Sequence, residues 1–272
     1  MSTANSASNV EAERPHGSLA MAYLRLLRIP NVFTAMGDVM MGFLLLHVSL
    51  APWSVFLPLL AASCLIYMAG MVLNDVFDHK VDAVERPERP IPSGRIRLST
   101  ARWLGFELLI VGVALAWLAG ALGGYLATGV AATLLALAVL GYDAWLKKTP
   151  AGPVAMGSCR TLNVLLGASV GGGLARPAFW WIALGIGVYI VGVTWFARTE
   201  ARESSSLHLA AGLSVAITGI AILAGFPFLL DPSKPGVTEL RLPNSAWLIL
   251  IGLLALSIAR RATPAVFDPT PA

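Results

Sequence analysis

Charge is scarce in this chain. Asp, Glu, Lys and Arg make up 12% of its 272 residues, about half the share of an average soluble domain. So few ionic groups cannot cover a water-facing surface. The 57% hydrophobic content and mean hydropathy of +0.74 place the chain in a bilayer. Cysteine is nearly absent too. Cys64 and Cys159 lie far apart inside apolar segments without metal-type partners, so they read as small buried side chains. An apolar leader is also missing. Met1 to Ala20 are polar and mixed in charge, which predicts a disordered cytoplasmic tail rather than a signal peptide. The formal charge of +4 and the pI near 9.3 do not point to nucleic acid, because the basic residues sit between apolar segments, where membrane orientation accounts for them.

What is present is a series of eight long apolar stretches, at 29–50, 52–74, 101–122, 124–146, 151–173, 178–198, 207–230 and 244–260. Each is close to the length a tilted spanning helix needs. The expectation is an all-α integral membrane bundle over residues 21–262, with a short C-terminal tail at 263–272. Small residues such as those in Gly167-Ala168-Ser169-Val170-Gly171 allow close helix packing. Basic residues set the orientation. Arg14, Arg25 and Arg28 precede or open the first stretch. Lys80, Arg86, Arg89, Arg95, Arg97 and Arg102 follow the second, Lys147 and Lys148 the fourth, Arg198 and Arg202 the sixth, and Arg260 and Arg261 the eighth. The loops after the first and third stretches carry none. This pattern predicts a multi-pass cell-membrane protein with both termini in the cytoplasm.

The second apolar stretch runs directly into Asn74-Asp75-Val76-Phe77-Asp78-His79-Lys80-Val81-Asp82. Carboxylates are expensive at a membrane and usually mark an ion or substrate site there. Asp75, Asp78 and Asp82 are spaced i, i+3, i+7, which puts them on one side of a helix. Three such anions repel one another unless a cation lies between them. With the neutral oxygen of Asn74, they form an oxygen-only set suited to a hard divalent ion, Mg²⁺ first. A second acidic pair, Glu200 and Glu203, closes the sixth stretch at i, i+3. An even number of crossings separates the two sites, so both lie on the cytoplasmic side and can face each other. A diphosphate approaches carboxylates only through bridging metal ions and cationic donors. Arg86, Arg89, Arg95, Lys147 and Lys148 are on the correct side to supply the donors. Arg160 and Asn163 lie within the fifth stretch, where polar groups need partners. They either line a cavity or bond between helices.

These residues resemble a known family. Asn74-Asp75-x-x-Asp78-x-x-x-Asp82, followed by Arg86-Pro87-x-Arg89-Pro90-Ile91-Pro92-Ser93-Gly94-Arg95, is similar to the first aspartate motif and following loop of the UbiA-type intramembrane prenyltransferases. Leu27-Arg28-Ile29-Pro30-Asn31 resembles their first helix, and Tyr142 with Lys147 resembles their tyrosine–lysine element. The segment from Tyr142 to Asn163 looks like the branch encoded beside ebo-type gene clusters. The resemblance implies a bundle around a central cavity open sideways to lipid. It implies an allylic prenyl diphosphate bound through Mg²⁺ at Asp75, Asp78 and Asp82, with the prenyl group passing to an unidentified acceptor. Two departures stand out. Glu200 and Glu203, with Ser204, occupy the place of the family's D-x-x-x-D motif, and eight spans are legible where the family has nine. A non-catalytic prenyl-lipid-binding or lipid-transport protein of the same fold is the alternative. Broken helices and an inverted repeat would favour transport, and neither stands out in the sequence.

Overall fold

The structure is a computed structural model, and it describes residues 18–47, 49–200, 205–229 and 243–267, without the side chain of Glu200. Ten α-helices and no strand occur among the described residues. The first, α1 (Leu19–Leu26), is short and leads into α2 (Ile29–Leu44). Then come α3 (Trp53–Phe77), the short α4 (His79–Glu85), α5 (Leu98–Gly123) and α6 (Ala127–Ala144). The chain finishes with α7 (Gly152–Ala168), α8 (Pro177–Glu200), α9 (Ser206–Ala224) and α10 (Asn244–Phe267). Six of these, α3, α5, α6, α8, α9 and α10, are long and apolar enough to cross a membrane by themselves. The other two long helices, α2 and α7, have 16 and 17 residues. Together the eight match the eight apolar stretches of the sequence.

Bilayer physics explains the side-chain distribution. Large apolar residues such as Phe33, Trp103, Ile110, Leu126, Ile249 and Leu256 are exposed on the outside, where lipid tails rather than water are the solvent. Inside, the packing relies on small residues. A Cβ on Gly42 would collide with the Val164 carbonyl, and one on Gly167 with the Val39 carbonyl. The reciprocal pair lets α2 and α7 approach backbone to backbone. Four helices, α2, α3, α6 and α7, surround the centre, and side chains from all four line one cavity. Outside them, α5 packs on α3 and α6, α8 on α7, α9 on α8, and α10 on α9. The last helix is the most peripheral, with little of its surface buried. It also continues to Phe267 through Pro264, beyond residue 262, where the sequence pattern ended the bundle.

The expected loop after the second span contains structure of its own. Helix α3 stops at Phe77, and Asp78 sits at the joint with a non-helical ψ of 4° before α4 begins. The Asp78 N–H still donates to the Asn74 carbonyl, and Asp82 N–H donates to the Asp78 carbonyl. The aspartate stripe therefore crosses a slight break instead of lying on one uninterrupted helix, and it keeps its sidedness. The break between α1 and α2 is sharper. Arg28 there has φ 48° and ψ 48°, a left-handed conformation that costs a non-glycine residue about 1–2 kcal/mol.

Candidate functional site

The ends of α3 and α6 meet at one rim of the bundle, and the acidic stripe lies there. Asp75 and Asp82 are buried at 5% and 4% exposure. Both face Arg89. Its Nη1 donates to Asp75 Oδ1 at 3.1 Å and to Asp82 Oδ2 at 2.7 Å. The strained backbone of Arg28 turns its side chain to the same carboxylate, with Nη2 donating to Asp75 Oδ1 at 2.9 Å. Asp78 is served from the 3₁₀ turn Leu146–Lys148 that follows α6. Lys147 Nζ donates to Asp78 Oδ2 at 2.7 Å and to Asn74 Oδ1 at 2.8 Å. The more exposed Lys148 stands 3.5 Å from Asp78 Oδ1.

The sequence-derived residues divide accordingly. Asn74, Asp75, Asp78, Asp82, Arg89, Lys147 and Lys148 come together. Arg86 lies on the same loop but is exposed, and Arg95 is half-buried there. Tyr142 lines the central cavity, within electrostatic reach of Asp78. Glu203 lies outside the described residues, as does the side chain of Glu200. The end of α8 nevertheless approaches this rim, because Arg198 Nη1 donates to the Thr149 carbonyl at 3.0 Å, two residues beyond Lys147.

The rim fits a divalent cation bound together with a phosphate. Two oxygens already converge on Lys147 Nζ and two more on Arg89 Nη1, so each pair is arranged around one positive charge. Every donor is a hard oxygen. Among the described residues no three His, Cys, Asp or Glu side chains form a metal cage. Mg²⁺ is usually held by one or two carboxylates plus substrate phosphates rather than by a complete protein cage.

Deeper in the bundle lies a second polar group. Arg160 Nη2 contacts Asp38 Oδ2 at 3.0 Å and donates to the Thr34 carbonyl at 3.1 Å. Asn163 Nδ2 donates to the Ala35 carbonyl at 3.0 Å and to Asp38 Oδ2 at 3.3 Å. Ser63 Oγ donates to Asn163 Oδ1 at 2.7 Å. Arg160 and Asn163 thus do both things the sequence left open: they tie α2, α3 and α7 together, and they line the cavity. The cavity measures ≈ 70 Å³ and extends past Ile66, Gly70, Leu135 and Val139 to Tyr142 and Asp143. The spacing rules did not pick out Asp38, Ser63 or Asp143. Each is polar within an apolar segment, and that placement is the signal by which sequence reasoning finds such residues.

A model of the UbiA prenyltransferase family matches residues 35–266. The digeranylgeranylglyceryl phosphate synthase of Methanopyrus kandleri is 32% identical over 259 residues, covering 87% of this chain and 89% of that protein. The protein of the same name from Sulfolobus acidocaldarius is 42% identical over 92 residues, covering 34% of this chain and 33% of that protein. The alignment thus spans about a third of the length of that relative and of the Sulfurisphaera tokodaii one. A solved structure described as digeranylgeranylglyceryl phosphate synthase in membranes superposes with a TM-score of 0.69 at 21% identity, covering 93% of this chain and 89% of that one. A UbiA homologue from Archaeoglobus fulgidus, bound to GPP and Mg²⁺, gives a TM-score of 0.57 at 12% identity, covering 90% and 99%. At these identities the two solved structures show a shared fold.

Proposed function

The chain belongs to the UbiA prenyltransferase family, and we propose that it transfers a prenyl group from an allylic prenyl diphosphate to a hydroxylated lipid acceptor within the membrane. The observation that carries this reading is the rim itself, where oxygen pairs and cationic side chains alternate within hydrogen-bond distance above an apolar cavity. Asn74, Asp75, Asp78 and Asp82 would hold Mg²⁺, with Glu200, at the end of α8, and Glu203 as further ligands. When bound, the metal neutralises charge that develops on the leaving diphosphate. The names of the relatives support a long prenyl chain and an acceptor of the glyceryl phosphate type.

The protein's own residues divide the work. Arg28, Arg89 and Lys147 rest on the carboxylates. They turn to phosphate oxygens when the diphosphate arrives, so a cationic contact is exchanged rather than lost. Arg86, Arg95 and Lys148 supply charge from the outer side. Below them the apolar walls of α3 and α6 hold the allylic carbon away from water, which would otherwise capture a prenyl cation. The rim faces the cytoplasm in this reading, by the distribution of basic residues. A membrane-impermeant thiol reagent should then label Ser93→Cys from the cytoplasmic side alone, and labelling from outside would reverse the topology.

The reading is tested with purified protein in detergent, Mg²⁺ and radiolabelled prenyl diphosphates of several lengths, with and without geranylgeranylglyceryl phosphate. The expected result is Mg²⁺-dependent release of diphosphate and a labelled ether lipid. Mg²⁺-dependent binding of prenyl diphosphate without release of diphosphate at any length would favour the lipid-binding alternative.

A further inference from the structure

Two buried side-chain atoms lack any hydrogen-bond partner among the described residues, Asp143 Oδ2 and Arg160 Nε. Both residues line the central cavity. One atom is an acceptor on a carboxylate and the other is an N–H donor. A bare carboxylate oxygen inside a membrane bundle is costly, and Asp143 is only 2% exposed. The packing of the bundle does not use that atom. Lys147, one turn further on, is occupied with Asp78 and Asn74. Across the interface Asp143 Oδ2 faces Gly70 of α3, 3.7 Å from where a Cβ would stand there.

The depth of Asp143 is informative. Gly70 lies five residues before Asp75 on α3, so Asp143 sits about 7 Å further into the bundle than the first aspartate of the stripe. That is the level at which the allylic carbon of a diphosphate held at the rim would lie. The cavity, at ≈ 70 Å³, has room for several waters, and therefore for the hydroxyl end of an acceptor.

Resting on the prenyl-transfer reading above, we propose that Asp143 is the catalytic residue that takes the acceptor's proton. The hydroxyl donates to Asp143 Oδ2 in the bound state. As the allylic C–O bond breaks, its electron pair leaves with the diphosphate. The acceptor oxygen bonds to the allylic carbon to form the ether, and the hydroxyl proton passes to Asp143 Oδ2. Arg160 Nε donates to a second oxygen of the same acceptor. No oxidant or further reactant is needed.

The test uses the full chain in lipid nanodiscs with Mg²⁺, geranylgeranyl diphosphate and either geranylgeranylglyceryl phosphate or phenol as acceptor. Asp143→Asn keeps the side chain's size and removes its capacity to take a proton. The expected result is that kcat for ether formation falls about 100-fold or more, while the Kd for geranylgeranyl diphosphate and the melting temperature stay near the parent values. Asp143→Glu, which restores a carboxylate, should recover part of the rate. An undiminished kcat in Asp143→Asn overturns the proposal and leaves the departing diphosphate as the proton acceptor. A loss that Asp143→Glu does not relieve, accompanied by a lowered melting temperature, also overturns it and makes Asp143 a structural residue. Parent protein that transfers to neither acceptor overturns the underlying prenyl-transfer reading instead.

Discussion

The bundle pairs its carboxylates with cations in two places, and the two are built differently. At the rim, Asp75, Asp78 and Asp82 are met by Arg28, Arg89 and Lys147. Two of these cations come from turns and one from a 3₁₀ segment, Leu146–Lys148. Their long side chains can swing to another anion without disturbing a helix. In the interior, Asp38 is met by Arg160 and Asn163, which belong to regular helices, and Ser63 secures Asn163 from a third helix. There the partners cannot leave without opening the contact between α2 and α7. The difference separates exchangeable ion pairs, which suit ligand binding, from fixed ones, which suit assembly.

The largest effect should come from breaking the fixed set. Asp38→Ala leaves the partly buried Arg160 without its anion, at a cost of about 3 kcal/mol. The expected outcome is a protein with a much lower melting temperature in detergent. Replacing both partners with apolar residues, Asp38→Leu with Arg160→Met, should recover most of that loss, because the cost lies in the orphaned charge. If the single variant melts like the parent, the distinction between the two sets fails.

The exchangeable set should respond in the opposite manner. Lys147→Met removes the cation from between Asp78 and Asn74. Mg²⁺ alone should then bind several-fold more tightly, whereas a prenyl diphosphate should bind about 10-fold more weakly, because one charge-assisted hydrogen bond to phosphate is gone. Parallel calorimetric titrations of the ion and of the diphosphate check the two signs. The melting temperature should change little. Both ligands moving the same way would mean that Lys147 is a fixed partner like Arg160.

The smallest expected effect belongs to Glu200→Gln. The change keeps size and hydrogen bonding but removes a charge at the end of α8. If Glu200 serves the metal, half-maximal binding or turnover shifts to a higher Mg²⁺ concentration by roughly a few-fold, with the melting temperature little changed. A surface pair alone would be worth under about 1 kcal/mol and would leave the Mg²⁺ dependence identical to the parent.

Most of the fold was legible because the bilayer enforces a rule that can be read locally: about twenty apolar residues per crossing. All eight stretches correspond to helices. Boundaries were less legible. The stretch assigned to 29–50 ends as a helix at Leu44, and α4 lies hidden in what reads as loop, because charged, polar residues beyond a span carry no length rule. The rim was legible for a similar reason. Asn74, Asp75, Asp78, Asp82 and Arg89 fall within sixteen consecutive positions, so helical spacing and one short turn bring them together. The interior set was not. Asp38 and Arg160 are 122 residues apart, and Ser63 and Asn163 are 100 apart. Only the packing of α2 and α3 against α7 makes them neighbours. Asp143 is harder still, since its informative property is a missing partner, and no sequence pattern encodes that.

The central claim is that the rim carboxylates bind a prenyl diphosphate through Mg²⁺. Its most direct measurement is the affinity of purified protein for radiolabelled geranylgeranyl diphosphate, with Mg²⁺ and with EDTA, in the parent and in Asp75→Ala and Asp78→Ala. The account predicts tight binding by the parent with Mg²⁺ alone. It predicts a loss of at least about 100-fold in either variant, roughly 2.7 kcal/mol, with the melting temperature close to the parent's. Unchanged affinity in both variants, or parent binding indifferent to EDTA, would contradict it.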